Sequence, residues 1–247
     1  MKKAILSLAV LAAFSTTAAD SFQQEVSLGY RDHTEISSDG IWDLGYRYYL
    51  DAQSNDKDPY ELIPFLSHAS WLNGGFTTSD FGEGYSIGGR FVTDSDWVFS
   101  GGYAVIDPDH GSSDDFYSLG LGKYIAEGTL VSFDFNDSDT SKHYALGLTH
   151  LLPVAGSEGL LINAGITNSD SDFIDDDIWS YSLGGDYYFA RHFSVGAGVS
   201  WNDGSKDFAW GLNSSYWFNS QANLSLSVTD SEDQDGFGWN LTGSYRF

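Results

Sequence analysis

The sequence predicts an all-β fold: a transmembrane, antiparallel up-and-down β-barrel of about 14 strands, with 12 as the alternative count. Three observations predict it. Segments of about ten residues alternate apolar and polar side chains, each closed by a polar break, and no helix-period pattern follows the first 19 residues. Several apolar faces begin and end in Trp, Tyr or Phe with aliphatics between, opposite faces of mostly Gly, Ser and Asn. No stretch after the N-terminal run reaches 18 consecutive apolar residues, so the sequence offers no helix to cross a membrane and leaves crossing to strands.

The first element stands apart from the fold. Residues 1–19, MKKAILSLAVLAAFSTTAA, open on Lys2 and Lys3, continue through an apolar run over 4–14, and end on the small residues Thr17, Ala18 and Ala19. That order reads as a cleaved export signal, too short to anchor in a bilayer. Residues 20–247 are then expected to form one barrel domain.

The expected strands cover 24–31, 41–50, 61–71, 84–92, 97–106, 116–125, 129–136, 142–151, 160–167, 178–189, 193–201, 207–218, 222–229 and 237–247. In 41–50, IWDLGYRYYL, the residues Trp42, Leu44, Tyr46, Tyr48 and Leu50 share one side, and Asp43, Gly45, Arg47 and Tyr49 the other. In 193–201, FSVGAGVSW, Phe193, Val195, Ala197, Val199 and Trp201 oppose Ser194, Gly196, Gly198 and Ser200. The last strand carries Trp239, Leu241, Tyr245 and Phe247 on one face, to the final residue. The segment 61–71 is the weakest, since Pro64 sits inside it and both faces carry apolar residues. A sandwich also alternates, but its buried face would be mainly aliphatic. Aromatic ends around aliphatic middles match a lipid-facing band with interfacial girdles.

Charge narrows the partners. With 35 Asp and Glu against 11 Lys and Arg, the net charge is -24, which argues against nucleic acid. An aromatic content of 16% and 28 Gly with only 4 Pro argue against disorder. There is no cysteine, hence no disulfide. The breaks after most odd strands are acidic or Gly-rich, and those after most even strands are short. Short turns on one rim and longer loops on the other are the expected asymmetry, with both termini on the short-turn rim.

These features, and the terminal YRF with Phe247 last and Tyr245 third from the end, resemble Gram-negative outer-membrane β-barrels, most nearly the small porin-like channels. The resemblance implies a passive diffusion channel in the outer membrane for small hydrophilic solutes or ions. It implies Tyr245 and Phe247 as the signal read by the barrel-assembly machinery, and lipid and lipopolysaccharide as surroundings. It implies no cofactor. A non-conducting structural or adhesive barrel is the alternative.

The candidate pore-lining residues are Glu25, Arg31, Asp43, Arg47, Arg90, Asp134, Asp186 and Arg246, charges on wet faces that hydrocarbon would not accept. Asp107, Asp109, Asp114, Asp115, Asp170, Asp172, Asp175, Asp176, Asp177, Asp230, Glu232, Asp233 and Asp235 are expected in loops, as a negative mouth favouring cations or simply as solvated surface. None fits a Ca²⁺ loop, and no metal site is expected. His68 and Ser70, two apart, would share a strand face where His could activate a hydroxyl. That pair carries the weaker alternative of a lipid hydrolase. No orienting Asn or Glu matches it, and no enzyme is expected.

Overall fold

The computed structural model describes residues 21–35, 40–55, 58–172, 174–204, 206–232 and 234–247; the expected signal segment and Asp233 lie outside them. Fourteen strands form one closed antiparallel barrel, each bonded to its sequence neighbours and the last to the first. They are β1 (Ser21–His33), β2 (Ile41–Ser54), β3 (Trp71–Ser79), β4 (Gly82–Val92), β5 (Trp97–Pro108), β6 (Asp114–Ala126) and β7 (Thr129–Ser138). The second half is β8 (Ser141–Leu152), β9 (Gly159–Ser171), β10 (Ile174–Ala190), β11 (Phe193–Asn202), β12 (Phe208–Trp217), β13 (Ala222–Ser231) and β14 (Gly238–Arg246). Closure leaves no strand edge without a partner, the condition for a sheet in lipid.

The alternation sorts the side chains by face. In β6, Tyr117, Leu119, Leu121 and Ile125 stand on the outside, with Leu119 65% exposed. Between them, Ser118, Gly120, Gly122 and Tyr124 turn to the lumen. In water each bare Leu would forgo about 1.5–3 kcal/mol of burial. A whole belt of such residues therefore needs hydrocarbon around it.

The aromatic girdles are two sets of contacting rings. Toward the rim away from the termini, Tyr30 lies 4.9 Å from Trp42 and 5.3 Å from Trp239, and Tyr103 lies 5.2 Å from Tyr117. Toward the rim of the termini, Phe189 lies 5.5 Å from Phe193 and Tyr216 lies 5.2 Å from Phe218. Such cross-strand rings stiffen the sheet where lipid meets water. The hydroxyls of Tyr85 and Tyr103 donate to Glu83 and Asp115 at 2.7 and 2.8 Å, so the rings stand in the band and their tips reach acid beyond it.

Two expectations fail. First, 61–71 is not a strand. Pro59 precedes a 3-10 turn (Tyr60–Leu62), and Pro64 sits in the first turn of a short helix α1 (Ile63–Leu66). A proline lacks the N–H a ladder needs but costs nothing where a helix begins. The third strand falls instead on 71–79, in a stretch expected as loop, and residues 80–81 turn it into β4. Gly82 takes φ 147 there, and a Cβ would lie 2.3 Å from the Asp107 carbonyl oxygen. Second, much of the expected acidic loop set is strand. Asp107 is in β5, Asp114 and Asp115 in β6, Asp170 in β9, Asp175, Asp176 and Asp177 in β10, and Asp230 in β13. Backbone ladder bonds do not require apolar side chains, so the sheet runs on past the hydrocarbon into water. Of the described members of that set, only Asp109, Asp172, Glu232 and Asp235 lie between strands. The rim asymmetry is thereby reversed at one place. The longest connection joins β2 to β3, on the rim of the termini.

Candidate functional site: the lumen and its plugged mouth

Midway along the bore the wall is made of small polar residues. Ser86, Ser100, Ser118, Asn73 and Asn136 border one recess of about 480 Å³. Ser182, Ser200, Asn163 and Asn213 border another of about 440 Å³. A third, of about 500 Å³, lies beside Arg31, Asp43, Asn240 and Thr242. Glycines at 88, 102, 184, 198 and 211 separate these residues.

All eight candidate charges fall on the lumen parity of their strands; the structure joins five of them, Arg31 with Asp43 and Glu25 with both Arg246 and Arg47, and sets Arg90, Asp134 and Asp186 against neutral groups. Arg31 Nε lies 3.3 Å from Asp43, which also accepts from Thr77 at 2.8 Å. Glu25 joins Arg246 at 2.5 Å across the β1–β14 closure and Arg47 at 3.9 Å. Arg47 also stacks over Trp71, 4.7 Å from the ring centre. Arg90 donates to the Tyr124 hydroxyl at 2.6 Å. Asp186 accepts from Asn213 Nδ2 at 2.6 Å. Asp134 lies against Gly120 and Ser100.

Near the termini the lumen changes character. Residues 58–70 leave the wall and cross the bore. In a ring of fourteen, β9 lies opposite β2, and Leu62 packs on Leu161 of β9 and Tyr188 of β10, with Phe65, Leu66 and Leu151 alongside. On the side of β1 and β2, Ile63 and Ala69 pack on Phe22 and Tyr49. Polar bonds hold this plug in place. Arg246 Nη1 donates to the Tyr60 carbonyl at 2.6 Å, with its guanidinium 4.5 Å from the Phe22 ring and 4.1 Å from the Trp217 ring. Arg191 donates to the carbonyls of Asp58 (3.1 Å) and Asn55 and covers Tyr60. Tyr124 donates to the Phe65 carbonyl at 2.9 Å. Ser194 donates to Glu61 at 3.1 Å.

Burial in the plug pushes the Glu61 carboxyl above its ordinary value; the Ser194 bond opposes this, and nearby Asp186 adds to it. Taking a carboxylate out of water disfavours its charged form. The plugged mouth is thus a neutralising place for an acid, unlike the polar wall of the bore beyond it.

Sequence reasoning missed this plug. Two signals for it exist. One is the pair Pro59 and Pro64 in a stretch whose apolar residues, Tyr60, Leu62, Ile63, Phe65 and Leu66, fall on both strand parities. The other is the doubling of aromatics at strand ends, Tyr48-Tyr49, Tyr187-Tyr188 and Tyr216-Trp217. There the alternation breaks because the lumen side has become apolar, and Tyr49, Tyr188 and Trp217 are buried beneath the plug.

The His68 and Ser70 pair belongs to the same segment and is not on a strand. His68, at φ 53, stacks on Tyr124 with centroids 3.6 Å apart and meets Asp96 at 3.1 Å. Ser70 Oγ accepts the Val92 amide at 2.9 Å. Among the described residues no hydrogen bond joins the two. His143 bonds to Ser169 and His150 to Thr129, and no group of three or more metal-ligating side chains gathers among the described residues. At the chain end, Tyr245 and Phe247 stack at 6.2 Å, and the Phe247 carbonyl accepts from the amides of Gln23 and Gln24.

A sequence profile of the family described as "Putative general bacterial porin" matches residues 1–165 of the 247. The chain belongs to that porin family. Solved structures agree on the fold of this porin. The Acinetobacter baumannii outer membrane protein Omp33 is 16% identical, with a TM-score of 0.71 over 93% of this chain and 100% of that one. The KdgM porin is 10% identical, with a TM-score of 0.51 over 90% of this chain and 99% of its own. A bacterial polysaccharide outer membrane secretin gives 10% and 0.52 over 93% and 100%. Among curated proteins nothing matches this porin. Family and fold together place it in the outer membrane as a porin-like channel protein.

Proposed function

We propose that this porin passes small hydrophilic solutes and ions by passive diffusion and prefers cations. The observation that carries the reading is the wall of the bore. Hydroxyls, amides and bare backbone line it, groups that can replace part of a solute's hydration shell without holding the solute. Its strand arginines are already engaged, Arg31 by Asp43, Arg47 and Arg246 by Glu25, and Arg90 by Tyr124. The net charge of -24 weights the approaches toward cations. The plug confines passage at the mouth of the termini to small solutes.

Export by residues 1–19 and their removal complete this reading. So do insertion by machinery that recognises Tyr245 and Phe247, and residence among lipid and lipopolysaccharide. A non-conducting structural or adhesive barrel is the second reading, favoured by the reach of the plug across the bore. Refolded protein in a planar bilayer separates them. The channel gives stepwise currents and, in a KCl gradient, a reversal potential displaced toward that of potassium. A correctly folded barrel that stays silent overturns it.

A further inference from the structure

The lumen aspartates repeat one arrangement. Asp186, Gly196 and Asn213 stand abreast on β10, β11 and β12, successive partners in register. Ser100, Gly120 and Asp134 stand abreast on β5, β6 and β7 in the same way. In each row a glycine separates the aspartate from a second polar side chain, and the carboxylate lies down over that glycine. A Cβ on Gly196 would sit 2.1 Å from Asp186 Oδ1 and 2.5 Å from Asn213 Oδ1. A Cβ on Gly120 would sit 2.6 Å from Asp134 Oδ1 and 2.1 Å from Ser100 Oγ. Neither site admits any side chain without moving the acid. Neither glycine needs its conformational freedom, since both lie in regular strand; what each supplies is space.

A third row makes the contrast. Asp43, Gly29 and Thr242 are also abreast, on β2, β1 and β14. There a Cβ would meet Asp43 no closer than 3.6 Å, and Asp43 is held by Arg31 and Thr77. Among the described residues, Asp134 and Asp186 make no salt bridge. They lie on β7 and β10, whereas the strand arginines of the lumen lie on β1, β2, β4 and β14.

We infer that Asp134 and Asp186 set the charge preference of the channel, and that Gly120 and Gly196 are positioning residues that keep both carboxylates flat on the wall. The inference rests on the channel reading above. A carboxylate laid along the wall offers its charge to a passing cation, inorganic or a small organic ammonium, without narrowing the bore. One that stands off the wall offers the same charge at the cost of width. Asn213 fixes the Asp186 oxygen at 2.6 Å, so this charge stays in one place as ions pass.

Charge and width can be changed separately. Asp134→Asn with Asp186→Asn keeps the shape and removes the charge. A unit charge a few ångströms from an ion in a water-filled bore changes local ion concentration about threefold to fivefold. The double variant is expected to lose about that factor in K⁺/Cl⁻ permeability ratio, and to show wild-type unitary conductance at about 1 M salt, where the charge is screened and only width counts. Gly196→Ala is expected to do the converse, lowering unitary conductance with the permeability ratio kept. Folding is checked by heat-dependent gel mobility. If Gly120→Ala fails to fold, Gly120→Ala with Ser100→Ala removes the closest clash and still displaces Asp134. Asn213→Leu, which leaves Gly196 in place, should lower conductance by less than Gly196→Ala does. An unchanged reversal potential in the double Asn variant, or wild-type conductance in the Ala variants, overturns the inference and leaves the channel standing. A folded wild type without current overturns both.

Discussion

The middle of the bore and its mouth at the termini use one strand ladder for opposite ends. In the middle, lumen positions are glycine, serine and asparagine, and acids lie flat beside water. At the mouth the same parity carries Tyr49, Tyr188 and Trp217, and residues 58–70 pack on them as on a globular core. Charge behaves accordingly. Arg31 is 53% exposed beside Asp43, a pair that water can replace. Arg246 is 5% exposed between two aromatic rings, bonded to Glu25 and to the plug. The lesson is that a β-barrel can hold two solvents inside one wall, and that the price of an altered residue depends on which one it meets.

The largest effect, on stability and current together, is expected from Arg246→Ala. It leaves the half-buried Glu25 with only Arg47, 3.9 Å away, a loss of up to about 3 kcal/mol. It also frees the Tyr60 carbonyl, so the plug should loosen. Denaturant unfolding in detergent should show the loss of stability, and bilayer recordings a rise in conductance. Equal stability and equal current would erase the distinction between mouth and middle.

Next comes the outside of the wall. Leu119→Arg places a charge in the hydrocarbon band and should cost about 2–4 kcal/mol in lipid. Ser118→Arg, one residue away but facing the lumen, should fold nearly as well as wild type. Folding titrations into vesicles read the difference, and equal costs would overturn the assignment of faces.

A smaller, pH-dependent effect is expected from Glu61. Its folded value is raised above the ordinary 4.5, so the docked plug prefers the protonated carboxyl. The resulting stabilisation is full below the ordinary value and is lost as pH rises through the raised one. Plug seating should therefore tighten, and conductance fall, as the medium is acidified toward 4.5. Glu61→Gln should hold the low conductance at neutral pH and flatten the profile. A variant with the wild-type pH profile would remove Glu61 from the account.

The smallest effect is expected at the exposed pair. Arg31→Gln should change stability by less than about 1 kcal/mol, as such pairs do in water. An unfolding midpoint shifted as far as that of Arg246→Ala would mean that the middle of the bore is not wet.

Much of this was legible in the chain. Period-two alternation separates lipid from lumen at every strand but β3, because side-chain direction follows from backbone geometry alone. The eight charges on wet faces could be placed for the same reason. The acidic stretches misled, since acid reads as loop whereas the ladder bonds that extend β9 and β10 are blind to side-chain polarity.

What the sequence determined by itself is the barrel: its two faces, its aromatic ends and its ordered last residue, with 12 or 14 strands left for the structure to decide. The tertiary structure alone decided the plug and the seats of the aspartates. YELIPFLSH carries apolar residues at both strand parities, and periodicity cannot say whether such a stretch is a buried strand or a buried turn of helix. Its answer lies in Leu161, Tyr188 and Trp217, about a hundred residues or more away in the chain and adjacent only once the barrel closes. Likewise Gly196 and Asp186 become neighbours only through register, and register is a property of paired strands.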